Sequence, residues 1–201
     1  SDECGLMFPI IPANSVAAAS GNQEGIFGYG HTTSSVSMTN LVSNTGVVSS
    51  DVAGVGTARG GPAACEYGGD KGIFGYGVTT HPTNTGVTNL VSNVGVVSSD
   101  VAGVGTARRH PAACGYGEDK GIFGFGYGSG YIAVTNLVSN TGVVSSDVAG
   151  VGTGREYPGA CEYGEDKGIF GYGIKTGGSS VSTTNLVSNT GVVSSDVAGV
   201  G

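Results

Sequence analysis

Charge is scarce in this chain, and tryptophan is missing altogether. Of 201 residues only 8 are Lys or Arg, against 15 Asp or Glu, so the formal net charge is −7 and charged residues make up 11%. So small and so acidic a complement excludes a nucleic-acid binder that works by neutralising phosphates. Disorder is disfavoured as well, because disordered chains pair high charge with low hydrophobicity, whereas here hydrophobic residues reach 38% and mean hydropathy is +0.11. The 6 prolines, and 40 glycines that do not fall at every third position, exclude collagen. No run of residues approaches the roughly 18 consecutive apolar positions of a spanning helix. The start, Ser1-Asp2-Glu3-Cys4, carries no basic n-region, and the apolar stretch 6–12 is broken by Pro9 and Pro12. These limits leave a glycine-punctuated, β-rich folded chain, soluble or assembled rather than integral to a membrane.

What is present is repetition. Thr-Asn-Leu-Val-Ser-Asn begins at Thr39, Thr88, Thr135 and Thr184, at intervals of 49, 47 and 49. Ile-Phe-Gly-aromatic-Gly begins at Ile26, Ile73, Ile122 and Ile169, at intervals of 47, 49 and 47. From each Thr-Asn to the next Ile-Phe the spacing is constant at 34, while the return spacing alternates 13, 15, 13, 15. All length variation therefore sits in one loop, residues 31–38, 78–87, 127–134 and 174–183. A period near 48 fits a propeller blade better than a solenoid coil. The units expected are 13–56, 57–105, 106–152 and 153–201, after an N-terminal arm of residues 1–12.

Within a unit the strand signals are short and bounded by turn residues. In the second unit, Ala63-Ala64-Cys65 is a small-residue run suited to a crowded inner strand. Tyr67-Gly68-Gly69-Asp70-Lys71-Gly72 supplies a turn, and Ile73-Phe74-Gly75-Tyr76-Gly77 reads as the second strand. Thr88-Asn89-Leu90-Val91-Ser92 is the third, and Val96-Val97-Ser98-Ser99 the fourth. No segment has the 3.6-residue apolar period of a helix. The fold expected is all-β, a small propeller of four repeats with four short antiparallel strands per blade.

Gly56-Thr57-Ala58-Arg59, Ala63-Ala64 and Gly69-Asp70-Lys71-Gly72-Ile73-Phe74-Gly75-Tyr76-Gly77 together resemble the Kelch repeat. Two departures are visible: Asn93-Val94-Gly95-Val96 stands where a Kelch unit carries Asn-Thr-Trp, and the double glycine is split by an aromatic. The longer phrase, from Thr-Asn-Leu-Val-Ser-Asn-Thr-Gly-Val-Val through Gly-Val-Gly-Thr-Ala-Arg to Asp-Lys-Gly-Ile-Phe-Gly-Tyr-Gly, is similar to Kelch-like repeat proteins of tailed bacteriophages. The similarity covers residues 13–201 and implies a β-propeller in a virion.

The repeat phase raises the question of ring closure. Asp51, Asp100 and Asp147 each lie 8 residues before an arginine, Arg59, Arg108 and Arg155. Such pairs would tie the outer strand of one blade to the inner strand of the next, or else stand as exposed charges near a loop. Asp196 has no arginine after it, and Asn14 occupies the arginine position of the first unit. Contact is expected between residues 10–20 and 184–201, within one chain or between copies.

Chemistry is thinly marked. Cys65, Cys114 and Cys161 recur at one repeat position, while Cys4 lies outside it; reduced packing residues, a disulfide involving Cys4, and a metal site are the readings open, and no Cys-x-x-Cys supports the last. His31, His81 and His110 fall at unrelated phases, which suggests no catalytic set, and no glycine-rich turn leads into a helix for phosphate binding. The differences between units are more informative. Residues 60–62, 109–111 and 156–158 vary, as does the loop region, and loops on a rigid scaffold commonly carry specificity. The candidate binding residues are thus His31, His81, Asn84, His110, Tyr127, Tyr131, Tyr157 and Lys175. The similarity to phage proteins implies a non-enzymatic structural component of a virion, in the tail or tail fibre, without a cofactor. Its expected partners are other virion proteins, copies of itself or host-surface glycans. The rival expectation is a soluble lectin-like propeller with one glycan per blade.

Overall fold

Glycine turns chop the chain into segments too short for anything but hairpins, and hairpins are what form. The computed structural model describes residues 23–200. It contains β1 (Gly25–His31), β2 (Ser35–Val42), β3 (Ala63–Tyr67), β4 (Lys71–Gly75), β5 (Val78–Thr80), β6 (Thr83–Asn84), β7 (Thr88–Val91), β8 (Ala112–Tyr116), β9 (Lys120–Gly124), β10 (Thr135–Val138), β11 (Gly159–Tyr163), β12 (Lys167–Gly171), β13 (Ile174–Lys175), β14 (Ser179–Ser180) and β15 (Thr184–Val187). Every pairing is antiparallel, and none of the sheets closes on itself. No helix occurs among the described residues.

Three units repeat one sheet: β3-β4-β7, β8-β9-β10 and β11-β12-β15. The first unit shows the hairpin β1-β2, the counterpart of the second and third strands. The inner strand expected for it, over residues 13–20, lies outside the described residues, as does the N-terminal arm. Two small hairpins, β5-β6 and β13-β14, grow from the loop of alternating length.

The expected fourth strand is not a continuous one. Around Val96–Ser99 only two isolated bridges form, Val91 with Val97 and Thr88 with Val101. Side chains take over the rest of the ladder: the Leu90 N–H donates to Ser98 Oγ at 3.0 Å, and Asn89 Nδ2 donates to the Ser98 carbonyl at 3.0 Å. The same bonds recur at Leu137, Asn136 and Ser145 and at Leu186, Asn185 and Ser194. Serine and asparagine satisfy main-chain groups locally and so compete with strand pairing.

In the second, third and fourth units the second strand ends because the aromatic after it turns left-handed; in the first, β1 runs on past Tyr29 with a shift of register between Gly28 and Gly30. Tyr29, Tyr76, Phe125 and Tyr172 have φ of 62–63°, a conformation uncommon for bulky residues. In the first three units that twist throws the ring sideways onto the next unit, where Tyr29 meets Phe74, Tyr76 meets Phe123 and Phe125 meets Phe170, each edge-on with centroids 5.2 Å apart. The phenylalanine in turn lies flat against the preceding unit's strand glycine. A Cβ on Gly75 would fall 2.8 Å from the Phe123 ring, and one on Gly124 2.7 Å from Phe170. Glycine there is a demand of close approach, not of a turn.

The core is consequently distributed among junctions. One buried cluster joins Tyr67, Ile73 and Tyr76 of the second unit to Phe123 and Val138 of the third, and another joins Tyr116, Ile122 and Phe125 of the third to Phe170 and Val187 of the fourth. A smaller one joins Tyr29 to Phe74 and Val91. No unit has a core of its own, and neighbours must stack for any of them to be stable.

Candidate functional site

Asp100, Asp147 and Asp196 and the three repeated arginines are each held in a small polar knot. The Asp100 carboxylate accepts from the Thr57 N–H at 3.0 and 3.1 Å, from Thr57 Oγ1 at 2.5 Å and from Asn89 Nδ2 at 2.9 Å. Asp147 repeats this with Thr106 and Asn136, and Asp196 with Thr153 and Asn185. Arg59, Arg108 and Arg155 are fully buried. Their guanidinium carbons sit 3.9, 3.8 and 3.9 Å above the rings of Tyr29, Tyr76 and Phe125 of the preceding unit, and each Nη1 donates to the carbonyl of Thr57, Thr106 or Thr153. Such a cation over an aromatic face is attracted by the ring quadrupole.

The pairing expected from the eight-residue spacing is overturned. Arg155 faces Asp196 at 4.0 Å, not Asp147, and Arg59 and Arg108 feel Asp100 and Asp147 of their own units. Asp51 binds Asn40 Nδ2 at 2.8 Å within the first unit. The reason is the bridge between Thr88 and Val101, and its counterparts, which fold the segment beside each aspartate back onto its own third strand. Each knot therefore closes one unit, start to end, while its arginine reaches back to the previous unit's aromatic.

Burial pushes the Asp100, Asp147 and Asp196 carboxyls upward. The hydrogen bonds from threonine and asparagine outweigh that and hold all three below the usual carboxylate range. A carboxyl with a lowered folded pKa contributes stability that is complete above its unfolded value of about 3.9 and is lost as the pH falls through the folded value. Melting temperature is thus expected to hold steady from neutral pH to mild acid and to drop below about pH 4; a melting curve that moves upward on acidification would contradict the knot.

The chain-specific polar residues gather elsewhere, where segments of all four units meet. The variable segments pair with the loops of their own units, through bridges Gly60–Val78, Arg109–Tyr127 and Glu156–Ile174. They also chain to one another: the His110 N–H donates to the Gly61 carbonyl at 2.9 Å and the Tyr157 N–H to the His110 carbonyl at 3.1 Å. Gly61, His110 and Tyr157 are all left-handed, with φ of 56, 51 and 55°. The His110 ring stacks on Tyr157 with centroids 3.9 Å apart and planes 18° apart, and His110 Nδ1 lies 3.0 Å from Glu156 Oε2. Together with His31, His81 and Arg109 these groups line an open cavity of about 360 Å³.

Three histidines at unrelated phases thus reach one cavity, and His31, His81, His110 and Tyr157 of the expected residues belong to it. The others do not. Asn84 braces the third unit through Nδ2 to the carbonyls of Tyr127 and Gly128, at 3.0 and 3.1 Å. Tyr127 lies under the Arg109 guanidinium at 4.2 Å and edge-on to Tyr131 at 5.1 Å, and Lys175 is exposed on β13. Arg109 and Glu156 were missed as candidates, although their position beside His110 and Tyr157 in the variable segments was the available signal.

Cys65, Cys114 and Cys161 are free thiols, and Cys4 lies outside the described residues. Burial raises the Cys65 thiol strongly and pushes Cys114 up to about 12, so neither is a thiolate at neutral pH. Among the described residues no three His, Cys, Asp or Glu side chains cluster as metal ligands would. A second cavity, of about 240 Å³ between the first two units, is walled mainly by repeated residues such as Ile26, Leu41, Ile73 and Val91.

No protein-family model matches the chain, and no curated protein does. Among solved structures, one titled "Structure of YjhT" superposes with a TM-score of 0.60 at 16% identity, covering 76% of this chain and 49% of that one. The chain thus spans about half of that structure's length. At such identity the likeness concerns fold alone: this is an all-β protein of antiparallel sheets.

Proposed function

We propose that the chain is a non-enzymatic display module, a Kelch-like propeller of four blades that serves as a structural component of a phage particle, in its tail or tail fibre. Its variable segments bind adjacent virion subunits or the host surface. The observation that carries this reading is a division of labour: the repeated charged groups are tied up in knots and turns, whereas the residues that differ between units converge on one cavity. A rigid scaffold whose chain-specific segments meet at one cavity suits recognition. Immunolabelling of purified particles tests the location, and label on the tail is the expected result; particles without label would end the reading.

A second reading is favoured by the flat His110–Tyr157 stack beside the Glu156 carboxylate, since an aromatic face flanked by hydrogen-bonding groups suits a sugar ring. The site would then be one per chain rather than one per blade, because only one set of these residues exists. In a glycan or host-cell binding assay Tyr157→Ala is expected to weaken binding at least tenfold, equivalent to about 1.4 kcal/mol. Its melting temperature should stay near that of the parent, because Tyr157 is exposed. Undiminished binding by this variant would exclude the cavity as the site.

A further inference from the structure

The first and the fourth unit carry exposed faces that match the two sides of the internal junctions. At the junctions of the second unit with the third and of the third with the fourth, the same contacts recur. Cys65 sulfur lies over Gly121 and Cys114 sulfur over Gly168, so close that a Cβ on either glycine would fall 2.5 or 2.6 Å from it. Tyr67 and Leu90 cover Gly142, and Tyr116 and Leu137 cover Gly191. Phe123 seats on Tyr76, and Phe170 on Phe125.

The fourth unit presents the first half of this set with no other described residue on it. Cys161 is exposed, as are Tyr163 and Leu186, and Tyr172 is 54% exposed where its counterparts Tyr76 and Phe125 are at 0%. The first unit presents the second half. Phe27 is 65% exposed where Phe123 and Phe170 are at 0%, and Gly46, the counterpart of Gly142 and Gly191, has open space where they meet a tyrosine and a leucine.

We infer that the exposed face of the fourth unit takes the exposed face of the first unit of a second copy of this chain, continuing the internal packing across a chain boundary. The occupant is specified by the face itself. It must bring a phenylalanine to Tyr172, a bare glycine to Cys161 and another to Tyr163 and Leu186, and the first unit offers Phe27, Gly25 and Gly46 in that spacing. Packing of this kind is head-to-tail, and it generates a ring if the rotation closes and a filament if it does not. One contact is missing from the new junction: Asn14 stands at the aligned arginine position, so no guanidinium from that position covers Tyr172. The junction is therefore weaker than the internal ones, and association depends on concentration. None of this depends on the proposed virion role.

Sedimentation of the full chain over a wide concentration range is the first measurement, with a mass rising above 19.7 kDa expected. Phe27→Asp and Tyr172→Asp, both on exposed residues, are expected to hold the protein at monomer mass with melting temperatures close to the parent's. The second measurement uses Gly25→Cys in a Cys4→Ser background under mild oxidation. A ladder of intermolecular disulfides is expected on a non-reducing gel, and its loss when Cys161→Ser is added. A monomer at every concentration overturns the inference. So does a disulfide formed at monomer mass and abolished by Cys161→Ser, which would mean that the two ends of one chain meet, and so does association that survives both aspartate variants.

Discussion

Arg108→Ala is expected to destabilise the protein by about 3–5 kcal/mol, the range found when one member of a buried charged set is removed or a large buried side chain is truncated. Arg108 has no exposed surface, lies 3.8 Å above the Tyr76 ring and donates Nη1 to the Thr106 carbonyl at 3.1 Å. Its Nε and Nη2 have no hydrogen-bond partner. Burial accordingly lowers the pKa of the guanidinium, with Tyr76 and Asp147 opposing. The side chain thus works chiefly as a flat, cationic packing group rather than as half of a salt bridge. Asp147 keeps Thr106 and Asn136 when the arginine is gone, so the dominant loss is the void between the second and third units. Arg108→Met, which fills most of that void, should cost no more than about 1.5 kcal/mol, as volume-conserving changes do. Because stability in a stacked array is a sum of units and their junctions, the alanine variant should also unfold less cooperatively in urea. An alanine variant within about 1 kcal/mol of the parent would contradict the junction as described.

Much of the local structure could be read from the residues. The runs beginning at Ala63, Ile73 and Thr88 become β3, β4 and β7, because small, β-branched and aromatic residues between glycine turns leave little else for the chain to do. Lys71 joins β4, and Tyr76 leaves it, since the left-handed aromatic ends the ladder. That conformation is invisible in a tyrosine flanked by glycines until its partner in the next unit is known. The fourth strand misled for a related reason: Val96-Val97 has strand propensity, yet Asn89 and Ser98 satisfy the backbone through side chains.

Partners separated by a whole unit were the least legible. Asp100 stands eight residues before Arg108 in the chain, but its segment folds back onto Thr88, so its carboxylate belongs to Thr57 and Asn89. Cys65 and Cys114 pack on glycines that the sequence could not point to, since Cys65 and Gly121 belong to different units, as do Cys114 and Gly168. The histidines show the same limit. His31, His81 and His110 have no common phase, and they meet only because variable segments and loops of different units come to the same place. Composition and period describe one unit well; the site is made of residues from all four.

Phe170→Ala is expected to cost about 3–5 kcal/mol, as for other fully buried phenylalanines, and Phe27→Ala less than about 0.5 kcal/mol in dilute solution, as for surface positions. The two residues occupy one repeat position, so propensity and local sequence are held constant and only the neighbour differs. Phe170 has no exposed surface and seats on Phe125 and Gly124 of the third unit; Phe27 has no unit before it among the described residues and is exposed. Gly124→Ala approaches the same contact from the other side. Its new Cβ would stand 2.7, 3.1 and 3.1 Å from three atoms of the Phe170 ring, and a ring locked between units cannot withdraw, so a loss of about 1–3 kcal/mol is expected. If the clash is the cause, Gly124→Ala should be nearly harmless once Phe170→Ala has removed the ring, and the double variant should be more stable than the two single losses add up to. Chemical unfolding of the four proteins, at a concentration where the chain is monomeric, measures this coupling directly. Strict additivity, or a Phe27→Ala loss as large as that of Phe170→Ala, would mean that the stability lies within the units and not between them.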